Sequence, residues 1–536
     1  MYAVTNYVQG IGLTAASTTS GGWATAGEIH SNGLITSDFD SRKPVGQIAE
    51  RAPSIEEGGI SLLPDGRMRV VFPLRKGVTW QDGTPLTAQD LVFSLRFLSD
   101  RALGYPTLEA ITLMDAAEAP DDNTFVLYYK QPYYLGASLG VRLFWPVPRH
   151  LMEAPFEQYL QNKNPEQIIN LPYWSSEYVG AGPFRVTSWD PSSEIVLQAY
   201  DGYFLGRPKA DIIRVRLLAD QQTLFSNLLA GAVDVFPETV LNAELVTQLK
   251  ETWEASNRGT VHYYAGSTRF LAPQMRPDVQ IESAILDQRV RAALYHALDR
   301  ETLAEVLQVG HREMAAYAIL PAHDPLYLAT KDALRPYAYD PERAKAMLRD
   351  LGWTPGTDGA LRNNADGRPF RTAITASTST TRDVPALADY WRRIGIEVDE
   401  RITPPALARD QEHAAQYPGY ENTSKAPGDG IIRGLEGPAA TAQTRWAGNR
   451  AGYEDPRAQA LLLRYRSSLS PREQFDAMKA ISDFIAAELP FLPTYGQVDG
   501  VGVRAGIRAL DDHMGGGVPG SGYGTFARNA HLWDVL

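Results

Sequence analysis

Five residues, Gly136-Ala137-Ser138-Leu139-Gly140, have the spacing of a nucleophile elbow, in which a serine on a sharp strand-to-helix turn attacks an acyl carbon. With His150 as base, that pattern would make the chain a secreted serine hydrolase. The elbow requires a strand before it and a helix behind it, and Phe144-Trp145-Pro146-Val147-Pro148 follows too soon for a packed helix. Chance accounts for so short a match. Gly515, Gly517 and Gly520 fit G-x-G-x-x-G, but Pro519 interrupts them and no helix follows to receive a phosphate. The nine histidines include no H-E-x-x-H, and there is no cysteine, which excludes thiolate nucleophiles, disulfides and Cys-type zinc sites. His296 lies inside an apolar helical run and reads as a core residue. No catalytic set, metal site or cofactor is expected. Asn422-Thr423-Ser424 is a formal glycosylation triplet. What the chain offers instead is aromatic side chains in loops, beside Gly, Pro or charged residues: Trp23, Tyr105, Trp145, Tyr420, Trp446 and Tyr495. Aromatics so placed give ligand clefts large contact area at low rotamer cost, so as a group they point to binding rather than chemistry.

The elements that would hold them are well punctuated. Arg67 to Leu74 reads as a strand behind the turn Pro64-Asp65-Gly66, and Thr87 with Asp90 opens the helical run LVFSLRFL as a short-armed capping box. Gly180 to Trp189 and Ser193 to Tyr200 read as a hairpin pair. Asp211 to Leu218 is a strand, Asp220 caps a helix that Gly231 ends, and Val233 to Phe236 is the next strand. Further on, helices are expected over Val290 to Leu298, after the cap Asp299, after Asp340-Pro341, over Val384 to Ile394 and from Ser470 to Glu488. A hairpin is expected within Thr357 to Phe370, and a strand over Ile396 to Ile402. Strands alternating with helices imply an α/β architecture.

At 536 residues the chain is long enough for two to four domains. Hydrophobic residues at 44% and charged residues at 21% are globular values, and the net charge of −12 speaks against nucleic acid or anionic lipid as the main partner. No apolar run is long enough to span a membrane. The opening MYAVTNYVQGIG lacks the basic start and apolar core of a signal peptide.

The segment Leu74 to Leu95, LRKGVTWQDGTPLTAQDLVFSL, resembles the signature of the extracytoplasmic solute-binding proteins of ABC importers, in the dipeptide, oligopeptide and nickel class (family 5). Val179-Gly180-Ala181-Gly182-Pro183-Phe184 is similar to that family's V-G-T-G-P-[FY] hairpin, and Leu229 to Val235 to its L-x-x-G-E-V-D. Gly202-Tyr203-Phe204 to Asp211, Asp287 to Arg291 with Ala297 to Arg300, and Asp340 to Trp353 resemble further family segments.

The resemblance implies a two-lobed, hinged periplasmic-binding-protein-like α/β fold of type II, with an extra subdomain in the first lobe. Lobe I would comprise residues 1–39, 179–264 and 489–536, its subdomain 40–178, and lobe II 265–488. A small solute, peptide or peptide-like, would sit between the lobes and be delivered to the membrane permease of an ABC importer. An oligosaccharide, an opine or a metal complex is the alternative on the same fold, and a sensor or chaperone role a third use of it. The chain would work in the periplasm or another extracytoplasmic space, meeting the membrane through the permease or through a lipid anchor outside this sequence, with no nucleic acid partner. Peptide-binding relatives hold the peptide's amino terminus with an Asp shortly after a Trp; Gln416 to Asn422 has no Trp-x-x-Asp, and Glu421 is the acid expected in its place. The expected ligand contacts are Trp23, Tyr105 and Trp145 from lobe I, Tyr420, Glu421 and Trp446 from lobe II, and Tyr495 at the hinge. Arg433 and Arg445 are candidates to grip a carboxylate bidentately.

Overall fold

Two segments far apart in sequence, the turn at Trp80-Gln81-Asp82-Gly83 and the run Gly180 to Phe184, are clasped together in the computed structural model. Gln81 Nε2 donates to the carbonyls of Gly182 (3.0 Å) and Phe184 (2.7 Å), and its Oε1 accepts from the Gly180 N–H at 3.0 Å. A buried amide side chain is thereby satisfied by backbone from another segment, as burial demands. The same run passes so close to the end of the helix Gly27–His30 that a Cβ on Gly182 would lie 2.3 Å from the His30 carbonyl carbon. Gly182→Ala therefore forces backbone apart, and we expect a loss of about 1–3 kcal/mol. A lowered urea midpoint at unchanged slope would show it; an unshifted midpoint would mean that the backbone yields freely there.

The structure describes every residue except 6–10, 12–25, 39–42, 104–108, 191, 321–327, 329–336, 378–379, 408–409, 427, 509–526 and 536. The chain divides into two compact units. Unit 1 holds Met1–Tyr264, Arg466–Leu469 and Asp499–Leu536; unit 2 holds Ala265–Tyr465 and Ser470–Val498. Two of the passages from one unit to the other, at 264/265 and 498/499, fall inside long strands, Gly259–Pro273 and Leu492–Arg504. The lobe boundaries implied by the resemblance lie at 264/265 and 488/489.

In unit 1, Val235–Phe236, Tyr2–Thr5, Ile212–Leu218, Glu194–Ala199 and Phe184–Asp190 are successive neighbours in a mixed sheet. Tyr2–Thr5 pairs parallel with Ile212–Leu218, and the last two strands form the hairpin read from sequence. Asp220 caps the helix Gln221–Leu229, accepting from Thr223 N–H at 2.8 Å. A separate four-stranded sheet, built on Met68–Pro73 and Thr124–Tyr129, buries Val70, Phe72, Leu127 and Trp80 against the helix Ala88–Leu98. Asp90 caps that helix through the Thr87 N–H (2.8 Å).

In unit 2 the neighbours run Glu397–Ile402, Arg371–Ala376, Tyr420–Lys425, Gly259–Pro273 and Leu492–Arg504. The strand Gly259–Pro273 is buried on both faces: Leu271 joins Ile374, Trp391 and Tyr420 on one side, Phe270 joins Ile431 and Phe491 on the other. Two-sided burial explains why its sequence FLAP reads as a continuous apolar run rather than an alternation. Helices begin where their caps stand: Asp340 accepts from Arg343 N–H, Asp299 from Thr302 N–H, and Ser470 with Glu473 forms a full capping box. Among the described residues no helix is long and apolar enough to cross a membrane.

Candidate functional site

In unit 2 the strands Arg371–Ala376 and Glu397–Ile402 run parallel, with the helix Asp383–Arg392 between them in the chain. The carboxyl ends of parallel strands are where α/β sheets bind ligands, because loops and helix starts gather there. Asp383 stands at this end, and its Oδ2 is 3.0 Å from the Nε of Arg269, the side chains being 7% and 4% exposed. Asn422 donates to the same oxygen at 3.0 Å. Tyr495 is 1% exposed beside both charges, and burial first, then the Asp383 carboxylate, pushes its phenol above the usual range. The group is underused as hydrogen-bonding material. Arg269 Nε sits at ion-pair distance but off the hydrogen-bond direction, and its Nη1 and the Asn422 Oδ1 have no partner. These three side chains therefore bring buried charge and unspent hydrogen-bonding atoms to the end of the sheet where ligands are bound in α/β folds, which makes them a candidate binding group.

Strand alternation puts Glu421 on the opposite face from Asn422. Its Oε1 is 2.9 Å from Arg450 Nη2. Burial raises its carboxyl above the ordinary value, against the pull of Arg450 and Lys425. Lys425 is held below the usual lysine range by burial and then by Arg450. Glu421 thus stands in a cluster of one carboxylate and two cationic side chains.

Of the other expected contacts, Trp23 and Tyr105 lie outside the described residues, as do Gly515, Gly517 and Gly520. Trp145 is 5% exposed and packs into the unit 1 core against His30 and Tyr178. Tyr420 is a core residue of unit 2 packed against Trp391, ring centroids 4.8 Å apart and planes tilted by 55°. Trp446 is half-buried with the Arg276 guanidinium 5.9 Å from its ring centre, while Arg433 and Arg445 are exposed. Ser138 sits among turns with no strand before it and no helix directly behind, and His150 is bonded to Asp82 at 2.6 Å. Asn422 of the glycosylation triplet is 1% exposed, out of reach of a glycan-transferring enzyme. Among the described residues no three His, Asp or Glu side chains gather as a metal-binding group.

Unit 1 holds a second polar cluster, at the turn that follows the strand Val235–Phe236. Thr239 has φ of +66°, a left-handed conformation costly for a β-branched residue. Its N–H donates to both oxygens of Asp499, at 2.9 and 3.1 Å, and the Gly500 N–H adds a third bond at 2.8 Å. Burial nevertheless pushes the Asp499 carboxyl up to about 6. Glu238, 4% exposed, is pushed up to about 8, first by burial and then by the nearby Asp499 charge. Tyr264 is raised well above the phenol range by burial and by these two acids.

Sequence reasoning missed Arg269, Asp383, Glu238, Asp499 and Arg450. A usable signal was present for two of them: a lone charge inside an apolar strand, Arg269 in STRFLAP and Asp499 in VDGVGV. Asp383 and Glu238 carry no such mark, because their burial is conferred by segments remote in the chain.

Comparison with known proteins agrees with this architecture. The chain is 25% identical over 351 residues to the oligopeptide-binding protein AppA of Bacillus subtilis, covering 63% of this chain and 59% of that one. It is 23% identical over 433 residues to the glutathione-binding protein GsiB of Escherichia coli, covering 80% and 78%. The match to AppA thus spans about three-fifths of that relative's length. The solved structure of NikZ from Campylobacter jejuni in complex with Ni(L-His) superposes with a TM-score of 0.73 at 17% identity, covering 99% of this chain and 98% of that one, which shows a shared fold. The model of the bacterial extracellular solute-binding proteins, family 5 (middle region), matches residues 43–424, well over half of the sequence, and the chain belongs to that family.

Proposed function

We propose that this protein captures a small solute, peptide or peptide-like, outside the cytoplasm and delivers it to the permease of an ABC importer, without catalysing any change in it. The observation that carries the reading is the Arg269–Asp383–Asn422 group: buried charges with unpaired hydrogen-bonding atoms, set at the carboxyl ends of parallel strands. Family membership supports it, since the family is one of solute-binding proteins rather than enzymes. The surroundings of Ser138 supply no elbow, which weighs against the hydrolase.

Native mass spectrometry of freshly purified protein, intact and then denatured, tests the proposal. The expected result is a small molecule released on denaturation, or, from an empty protein, a thermal shift with a peptide panel. A ligand at 100 times its dissociation constant adds about 2.7 kcal/mol of stability. Absence of both for peptides, sugars and metal complexes would sink the reading, and fluorophosphonate labelling abolished by Ser138→Ala would replace it with the hydrolase.

A further inference from the structure

The acid expected to meet a positively charged group, Glu421, is already matched by Arg450. The acids without such a match are in unit 1. Among the described residues neither Glu238 nor Asp499 has a cation within ion-pair distance, and Glu238 Oε2 meets no hydrogen-bond donor. The hydroxyl of Tyr264, a residue 8% exposed, lies beside the Asp499 carboxylate. Arg142 and Arg528 are the positive charges that bear on Glu238, both from beyond ion-pair distance. The backbone N–H groups of Thr239 and Gly500 are spent on Asp499. What the group still presents is acceptor oxygen, and acceptor oxygen in a buried setting selects a donor carrying positive charge.

We propose that Glu238, with Asp499 and Tyr264, forms a subsite in unit 1 for a cationic nitrogen group of the captured solute, a primary ammonium or a guanidinium. This rests on the solute-capture reading above. Entry of the cation ionises Glu238: its O–H bond breaks, the proton passes to solvent, and the new carboxylate pairs with the incoming N–H donors. Binding at pH 7 then releases close to one proton, because burial keeps this carboxyl protonated up to about pH 8.

The test uses the full chain and two pools of probes. One contains agmatine, spermidine and tripeptides of Ala, Gly, Leu and Ser with free amino termini; the other contains the same compounds with their amines acetylated and the guanidinium omitted. Native mass spectrometry reads what is retained, and titration calorimetry in buffers of different ionisation enthalpy reads the proton. The expected result is retention from the first pool alone, release of close to one proton, a loss of at least tenfold in Glu238→Gln and a smaller loss in Tyr264→Phe. Should Glu238→Gln not fold, Tyr264→Phe and the proton count of the unaltered chain still decide. Equal retention from both pools, no proton release, or undiminished retention by Glu238→Gln overturns the subsite and leaves solute capture standing. Retention of nothing from either pool overturns the subsite; joined to no solute in the mass spectrum of the purified protein and no thermal shift with peptides, sugars or metal complexes, it overturns both.

Discussion

Asp383→Ala is expected to cost about 3–5 kcal/mol, because it leaves the Arg269 guanidinium charged and unmatched in the interior of unit 2. Both side chains are almost wholly buried, so water cannot take over the role of the lost partner. Arg269→Ala should cost a similar amount for the converse reason, with Asp383 left facing Asn422 and Tyr495. Replacing both by apolar residues of similar size, Arg269→Met with Asp383→Leu, should recover most of either loss, since a buried pair contributes little net stability once its desolvation is counted. Urea unfolding of the parent, Arg269→Met, Asp383→Leu and the double variant completes a double-mutant cycle. A double variant whose loss equals the sum of the two single losses would show that the two residues act independently. The same double variant should no longer bind solute: that separation of stability from binding marks a pair retained for recognition.

The second expectation concerns pH. In the unfolded chain Glu238 releases its proton near the ordinary 4.5, whereas the folded protein keeps it up to about 8. Between those values the folded state holds one proton more than the unfolded state, so stability must fall as pH rises, by at most about 1.4 kcal/mol per pH unit for one group. Asp499, raised from 3.8 to about 6, adds a drop of the same sign at the acid end of that window. This contribution is complete below the unfolded values and lost above the folded ones, opposite to the behaviour of an acid held by a salt bridge. Glu238→Gln removes the larger part, so its stability should change little from pH 6 to 8 and exceed that of the parent at pH 8. Urea midpoints across pH 5 to 9, read by far-UV circular dichroism of the parent and of Glu238→Gln side by side, provide the check. Parallel curves for the two proteins would mean that Glu238 is ionised throughout.

The origin of these effects divides cleanly between chain and fold. Helix starts at Asp220, Asp299, Asp340 and Ser470 were legible because each cap and the N–H it satisfies lie within three residues, so local chemistry is sufficient. The hairpin of Phe184–Asp190 with Glu194–Ala199 was legible for the same reason. The family, too, was legible, since its motifs are turns and caps of this local kind. Their meeting was not: nothing in the Trp80–Pro85 turn announces that Gln81 will satisfy the backbone at Gly180, 99 residues away. The candidate binding groups were least legible of all. Glu421 reads as an open acid until Arg450 is brought beside it, and Glu238 as a surface loop residue until its turn is closed over by the strand carrying Asp499. Charge, pKa and availability for a ligand are set by burial and by partners remote in sequence, and those exist only once the sheets are assembled. The sequence by itself therefore determined the elements and the kinship; which acids and bases remain open to a solute was decided by tertiary structure alone.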